Sequence, residues 1–145
     1  MHAEESALWS LDRKDGMEKA YCCFNSNARD FARFGQLLLN NGQWDGQQLI
    51  SPAYLAEATS PDTRLVYKDL GKPNHCYGFQ YWILDYKGMK IPYMRGILGQ
   101  YVFTLPEKNA VIVRLGHKRS DTYTADQHYP DDINTWLDAA MDLLQ

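Results

Sequence analysis

The run Arg95-Gly96-Ile97-Leu98-Gly99-Gln100 concentrates the residue types that could do chemistry in this 145-residue chain. Two glycines three positions apart let a backbone approach a ligand closely, because neither carries a Cβ. Arg95 beside them offers a planar, permanently charged fork that matches a substrate carboxylate. Its alternative use is as a solvated charge at a strand edge, the common state of arginine. Nucleophiles, by contrast, lack activation. None of the six serines has a lysine three positions on: Ser10 is followed by Arg13 and Ser26 by Arg29. No tyrosine has an asparagine two positions on. A serine hydroxyl is a weak nucleophile at its free pKa, so without a neighbouring base it does not acylate.

Metal and thiol chemistry have little to stand on. Cys22, Cys23 and Cys76 are odd in number and have no Cys-x-x-Cys spacing, which predicts small buried hydrophobes rather than a disulfide framework or a zinc ribbon. Adjacent Cys22 and Cys23 point to opposite faces if that stretch is extended. His2, His75, His117 and His128 are widely separated with no His-x-x-x-His helix, so neither a metal site nor a cofactor is expected.

The elements that must hold Arg95, Gly96 and Ile97 are legible from periodicity. Residues 100–105 alternate Tyr101, Phe103 and Leu105 with Gln100, Val102 and Thr104, the pattern of a half-buried strand. Pro106-Glu107-Lys108-Asn109 reads as a turn, and residues 110–115 as the returning strand. Upstream, residues 77–85 are β-rich, Tyr86-Lys87-Gly88-Met89 is a turn, and residues 90–94 return, which predicts an antiparallel meander of about four strands. Tyr81, Trp82 and Tyr93 are read as sheet packing rather than as a stacking platform. A helix is predicted from about Ala28, capped by Asn25, Ser26 or Asn27, with Phe31, Phe34, Leu37 and Leu38 as its apolar face and Asn41-Gly42 as its stop. Arg29, Asp30 and Arg33 fall on its solvated or ion-paired side. Ser51-Pro52 starts a short helix to about Ala58. Residues 59–76, with Pro61 and Pro73, read as a loop. The first twenty-four residues look irregular or extended, anchored by Trp9 and Leu11. A polar loop with His117, Arg119, Asp121 and Tyr123 precedes an amphipathic helix begun by Pro130-Asp131-Asp132. Its stripe of Ile133, Trp136, Leu137, Ala140, Met141 and Leu144 should cover one face of the sheet.

Composition bounds the rest. At 45% apolar and 13% aromatic, residues 1–145 suffice for one domain with its own core, of class α+β. A net charge of -3 with scattered lysines and arginines gives no footprint for nucleic acid. Apolar runs are too short for a membrane span and the start lacks a signal-peptide pattern, so the chain itself reads as soluble, its compartment unspecified.

Taken in order, these motifs resemble the serine β-lactamase and penicillin-binding-protein superfamily, in its branch of class C enzymes, esterases and 6-aminohexanoate-dimer hydrolases. Residues 101–109 followed by 111–115 look like the strand pair after the third active-site motif, and Gly96-Ile97-Leu98-Gly99-Gln100 looks like that motif as the dimer hydrolases use it. Trp9-Ser10-Leu11-Asp12, residues 16–20, residues 28–39, Asn41-Gly42 and Ile50-Ser51-Pro52 resemble the run before it. The resemblance implies a partial β-lactamase/transpeptidase-like fold and, in the complete protein, hydrolysis of an amide or ester through an acyl-enzyme. It also implies that the Ile97 amide is one of two oxyanion donors, beside Gly96 and Arg95. Activity in the superfamily needs Ser-x-x-Lys and Tyr-x-Asn elements, absent here, and Met94-Arg95-Gly96 stands where a lysine or histidine, a small residue and glycine are common.

Two readings follow. In one, the chain is the C-terminal part of such a hydrolase, inactive alone, whose partner is the missing N-terminal half of the same domain. In the other, it is a stand-alone binding or oligomerisation module, a homo-oligomer held through exposed sheet or helix faces. An in-frame Ser-x-x-Lys upstream of Met1 favours the first; a stop codon and ribosome site just before Met1 favours the second. Relatives are often exported in bacteria.

Overall fold

Alternation over residues 100–105 calls for a strand, and in the computed structural model, which describes residues 1–68, 71–125 and 128–144, that strand lies inside the main sheet. In chain order, β1 (Leu8–Trp9) pairs with β2 (Phe24–Asn25), and α1 (Ala28–Leu39) follows. A small hairpin of β3 (Gln43–Trp44) and β4 (Gln47–Gln48) leads to α2 (Pro52–Ala58), and β5 (Val66–Tyr67) pairs with β6 (Lys72–Pro73). The main sheet is β7 (Trp82–Tyr86), β8 (Met89–Gly96), β9 (Gln100–Leu105) and β10 (Ala110–Arg114), before the closing helix α3 (Asp132–Leu143). All its pairings are antiparallel, in the order β10-β9-β8-β7: the four-stranded meander of an α+β fold.

Turn chemistry sets the register. Lys87 and Gly88 both take positive φ, 52° and 87°, between the paired Tyr86 and Met89, the geometry that joins two twisted strands through two residues. Between β9 and β10, Pro106–Lys108 forms a single 3-10 turn that ends on left-handed Asn109.

One face of the sheet carries Leu84, Tyr86, Ile91, Tyr93, Tyr101, Phe103 and Leu105, and Ile133 and Leu137 of α3 close over them. This is the cover the amphipathic stripe predicts. Trp136 and Leu144 do not join it: Trp136 is 42% exposed and Leu144 lies past the helix end. The other face is covered too. Val102 and Thr104 are as buried as their neighbours, so β9 is enclosed on both sides rather than half-buried. The second cover is α1, capped by the Asn27 side chain, which accepts from the Asp30 amide. It approaches through Gly35, where a Cβ would stand 2.4 Å from a Val111 methyl and 3.1 Å from a Val102 methyl.

Several local expectations are corrected. Phe31 and Phe34 meet the ring of Phe24 edge-on at 5.8 and 5.9 Å, and Phe34 stays partly exposed, so the predicted apolar face is divided between sheet and N-terminal segment. Trp9 anchors the N-terminal segment through its indole bonds to the Lys19 and Cys22 carbonyls and its ring contact with Phe24, but it is 45% and Leu11 41% exposed, and Phe24 makes the contact with α1. Of the two states expected for the Arg29, Asp30 and Arg33 side, the ion-paired one holds, with Arg33 bonded to Asp30 and both arginines near Glu4, but Asp30 is not solvated. It is buried, accepts from the Glu4 and Glu5 amides and from Ser26, Asn27 and Arg33, and so ties the start of the chain to α1. Of the run at 77–85, regular strand begins only at Trp82. The expected loop at 59–76 is braced by buried Asn74, whose amide donates to the carbonyls of Asp62 and Tyr77 and accepts from Cys76 and Tyr77; residues 69 and 70 lie outside the described residues. Finally, Cys22 and Cys23 form a disulfide with each other. The stretch is not extended at that point, since Cys23 has φ 72°, and the two sulfurs meet instead of facing apart. Cys76 is buried as expected.

Replacing Gly35 by alanine improves helix propensity by about 1 kcal/mol but overpacks the α1–sheet contact by about 1–3 kcal/mol, so the net effect is destabilising. Urea unfolding of Gly35→Ala should show a lower midpoint at unchanged slope; a raised midpoint would count against close contact there. The Asp30 carboxyl is held below its ordinary pKa, chiefly by the Glu4 amide and further by the Glu5 amide and Arg33, against the opposing effect of burial. Its folded pKa being the lower one, its contribution is complete above about pH 4 and lost as pH falls through the depressed value. Asp30→Asn should therefore lose less stability on acidification than the parent protein, and equal acid slopes would refute this.

Candidate functional site

Gly96 and Gln100 pair across β8 and β9, which leaves Ile97, Leu98 and Gly99 as the turn. Leu98 at φ 62° and Gly99 at φ 85° are both left-handed, a conformation natural to glycine and unfavourable for leucine. Glycine is required at 99 for a second reason: a Cβ there would lie 1.9 Å from a nitrogen of the Arg114 guanidinium.

That guanidinium fastens the turn from behind. Arg114 Nη1 donates to the Gly99 carbonyl at 2.5 Å and Nη2 to the Lys118 carbonyl at 2.9 Å, with the group seated 4.5 Å from the Trp136 ring and 5.6 Å from that of Tyr101. Gln100 Nε2 adds a bond to the Gly116 carbonyl at 2.6 Å. The turn is thus tied to the chain after β10, while its tip faces solvent, Ile97 being 79% and Leu98 47% exposed. An exposed apolar tip on a pinned backbone is the structural setting of the Ile97 amide.

Arg95 sits one residue before, opposite Tyr101, on the α3 side of the sheet. It is not a solvated charge at an edge, because β8 is an interior strand. Its guanidinium carbon lies 3.3 Å from the Trp82 ring centroid, and Nη1 donates to the His128 carbonyl at 2.9 Å and the Tyr93 hydroxyl at 3.5 Å. Such stacking contributes about 0.5–2 kcal/mol. Gly96 lies against Gln100, where a Cβ would come 3.1 Å from the Gln100 Cβ. Arg95, Gly96 and Ile97 are therefore brought together, with Arg95 and the exposed tip turned to different surroundings.

The tyrosines beneath cannot act as bases. Burial pushes the Tyr101 hydroxyl up to about 12, and burial raises Tyr93 as well, against the nearby Arg95 charge. Both phenols hold their protons at neutral pH, and a general base must be unprotonated to act. The Tyr101 hydroxyl has no hydrogen-bond partner among the described residues. Beyond Arg114, an open groove of about 640 Å³ is lined by Arg114, Lys118, Arg119, Ser120, Asp131, Asp132 and Thr135. Its mixed charges define neither an anion cradle nor a cation site. Among the described residues no three His, Cys, Asp or Glu side chains stand close enough to hold a metal ion, and no helix is long and apolar enough to cross a membrane.

Sequence reading assigned no role to Arg114. It lay within the returning strand, and the 15-residue separation from Gly99 left no local signal of their contact.

This architecture, with helices on both faces of an antiparallel meander, matches part of a β-lactamase-like fold. Among solved structures, a putative 6-aminohexanoate-dimer hydrolase from Bacillus anthracis superposes with a TM-score of 0.68 at 26% sequence identity, over 98% of this chain and 34% of that one. The chain thus spans about a third of that protein's length, and the match supports a related hydrolase origin. No profile of a known protein family matches the sequence, and no curated protein does.

Leu98→Gly should remove the left-handed penalty and raise stability by about 1 kcal/mol, read as a higher urea midpoint. An unchanged or lowered midpoint would show that Leu98 is held by contacts worth as much as its strain.

Proposed function

We propose that this chain is the part of a β-lactamase-related serine hydrolase domain that carries the oxyanion turn but not the nucleophile. The observation that carries the proposal is the pinned turn at residues 96–100, within a chain of which 98% is matched by a putative 6-aminohexanoate-dimer hydrolase. The neighbour extends well beyond the match, which leaves room for a Ser-x-x-Lys helix and a Tyr-x-Asn element outside residues 1–145.

In the complete protein the proposed reaction is hydrolysis of an amide or ester. A serine from the complementary part attacks the carbonyl carbon, its proton passes to a base from that same part, and the carbonyl oxygen becomes an oxyanion. The Ile97 N–H donates to that oxyanion. Such a donor lowers the barrier by ~3 kcal/mol when it is already in place, and the bonds from Arg114 and Gln100 supply that fixity. Gly96 admits the substrate close to the backbone. Arg95 is proposed to meet a substrate carboxylate through N–H groups other than Nη1, which is engaged with His128 and Tyr93. Met94 supplies neither charge nor proton, so any side-chain acid also comes from the complementary part.

On this reading the isolated 145-residue chain turns over neither nitrocefin nor p-nitrophenyl esters, and intact mass spectrometry finds no adduct after fluorophosphonate or penicillin. Stoichiometric modification of any serine would overturn the reading. The reading frame upstream of Met1 offers an independent check: an in-frame Ser-x-x-Lys agrees with it, and an immediately preceding stop codon and ribosome site contradict it.

A further inference from the structure

Cys22 and Cys23 take no part in the site described above, yet they occupy a junction of the N-terminal segment. Their disulfide joins neighbours in sequence and so closes a small ring that includes the peptide bond between them. Within that ring Cys23 takes φ 72°, a conformation L-residues rarely adopt unless something holds them there. Both carbonyls of the pair are in use. The Cys22 carbonyl accepts from the Trp9 indole at 3.2 Å, and the Cys23 carbonyl accepts from the Ser10 amide and the Asn25 side chain, each at 3.2 Å. The Cys22 amide in turn donates to the Lys19 carbonyl at 3.1 Å. The next residue, Phe24, pairs with Trp9 and contacts the rings of Trp9, Phe31 and Phe34. The Cys22 and Cys23 carbonyls thus contribute to holding β1 against β2, beside the Trp9 indole bond to the Lys19 carbonyl at 3.0 Å and the Lys19 amide bond to Ser10.

We propose that Cys22 and Cys23 are a reversible two-electron thiol–disulfide site, taken by a dithiol reductant, whose oxidised form holds residues 8–25 in place. Cys23 is exposed and Cys22 only half-buried, so a thiolate can reach the bond. The reductant's thiolate attacks Cys23 Sγ, the S–S bond breaks, and the Cys22 sulfur leaves and takes up a proton. The reductant's second thiol then attacks the mixed disulfide and releases Cys23 as a thiol. Two protein thiols form, and the dithiol is oxidised to its own disulfide. With the ring opened, Cys23 is an ordinary residue in the left-handed region. It relaxes to negative φ, which turns both carbonyls away from Trp9 and Ser10. The main sheet, whose core lies elsewhere, is unaffected. This inference does not rest on the hydrolase reading.

The test is native-state alkylation and hydrogen exchange of the full chain with and without dithiothreitol. Without reductant, iodoacetamide should add nothing to Cys22 or Cys23. With dithiothreitol under native conditions it should modify both and spare buried Cys76. Amide exchange at residues 8–10 and 22–25 should then rise by about tenfold or more, with β7–β10 protection unchanged, and reoxidation should restore it. The double variant Cys22→Ser/Cys23→Ser should show the faster exchange from the start and no response to dithiothreitol. Alkylation of Cys22 and Cys23 in the air-oxidised protein, or equal exchange at residues 8–10 and 22–25 in the two redox states, would overturn the proposal.

Discussion

Strand β9 is covered on both faces, and the rest of the molecule is arranged around that constraint. Tyr101, Phe103 and Leu105 are sealed by α3, while Val102 and Thr104 lie under α1. Each helix must bring its own apolar contacts, and the two solve the problem differently. Helix α3 presents Ile133 and Leu137 to a face rich in aromatic rings. Helix α1 comes close enough that only a glycine fits between it and Val111. Full burial on each side removes more apolar surface from water than either cover alone, at about 25 cal/mol per Å². It also leaves the Thr104 hydroxyl without a partner among the described residues, a polar group retained inside an otherwise apolar contact.

The turn at Ile97 inherits its position from this core. Strand β9 is fixed on both faces, so Gln100 is fixed, and the last pair Gly96–Gln100 sets where the turn begins. Arg114 and Gln100 then reach the backbone at residues 116–118, coupling one end of the β8–β9 hairpin to the segment that leaves β10. This bracing fixes the backbone of the turn from behind and leaves its exposed tip untouched. The left-handed Leu98 belongs to the same arrangement: the surrounding bonds over-determine a conformation that leucine alone would leave.

The N-terminal segment is held by different means. Asp30 gathers the Glu4 and Glu5 amides, Ser26, Asn27 and Arg33 around one carboxylate at the start of α1, and Phe24 docks among Phe31, Phe34 and Trp9. Few of its apolar side chains are enclosed: Leu8, Met17 and Tyr21 are each about three quarters exposed. A segment held by a few polar anchors and one aromatic contact opens at lower free energy than a two-sided sheet.

Local order was legible in the sequence wherever a short stretch carries its own physics. The strand at 100–105, the turns at Lys87-Gly88 and Pro106–Asn109, the Asn27 and Ser51 caps and the Ile133 and Leu137 part of the α3 stripe all depend on residues within a few positions of one another, and all are present, although β9 is buried on both faces and Trp136 stays exposed. The grouping of Arg95, Gly96 and Ile97 was equally plain, being contiguous. What the sequence could not decide depended on residues distant along the chain. Burial of Asp30 needs Glu4 and Glu5, the seat of Arg95 needs Trp82 and His128, and the bracing of Gly99 needs Arg114. The Cys22–Cys23 bond was hidden for another reason: extended geometry would separate adjacent side chains, and only the left-handed turn at Cys23 brings the sulfurs together. By itself the sequence determined the three helices, the main strands and their turns, because those are set by local sterics and periodicity. The tertiary structure decided which charges are buried, which face of each strand is covered and what holds the turn, because those follow from packing between segments that sequence periodicity does not relate.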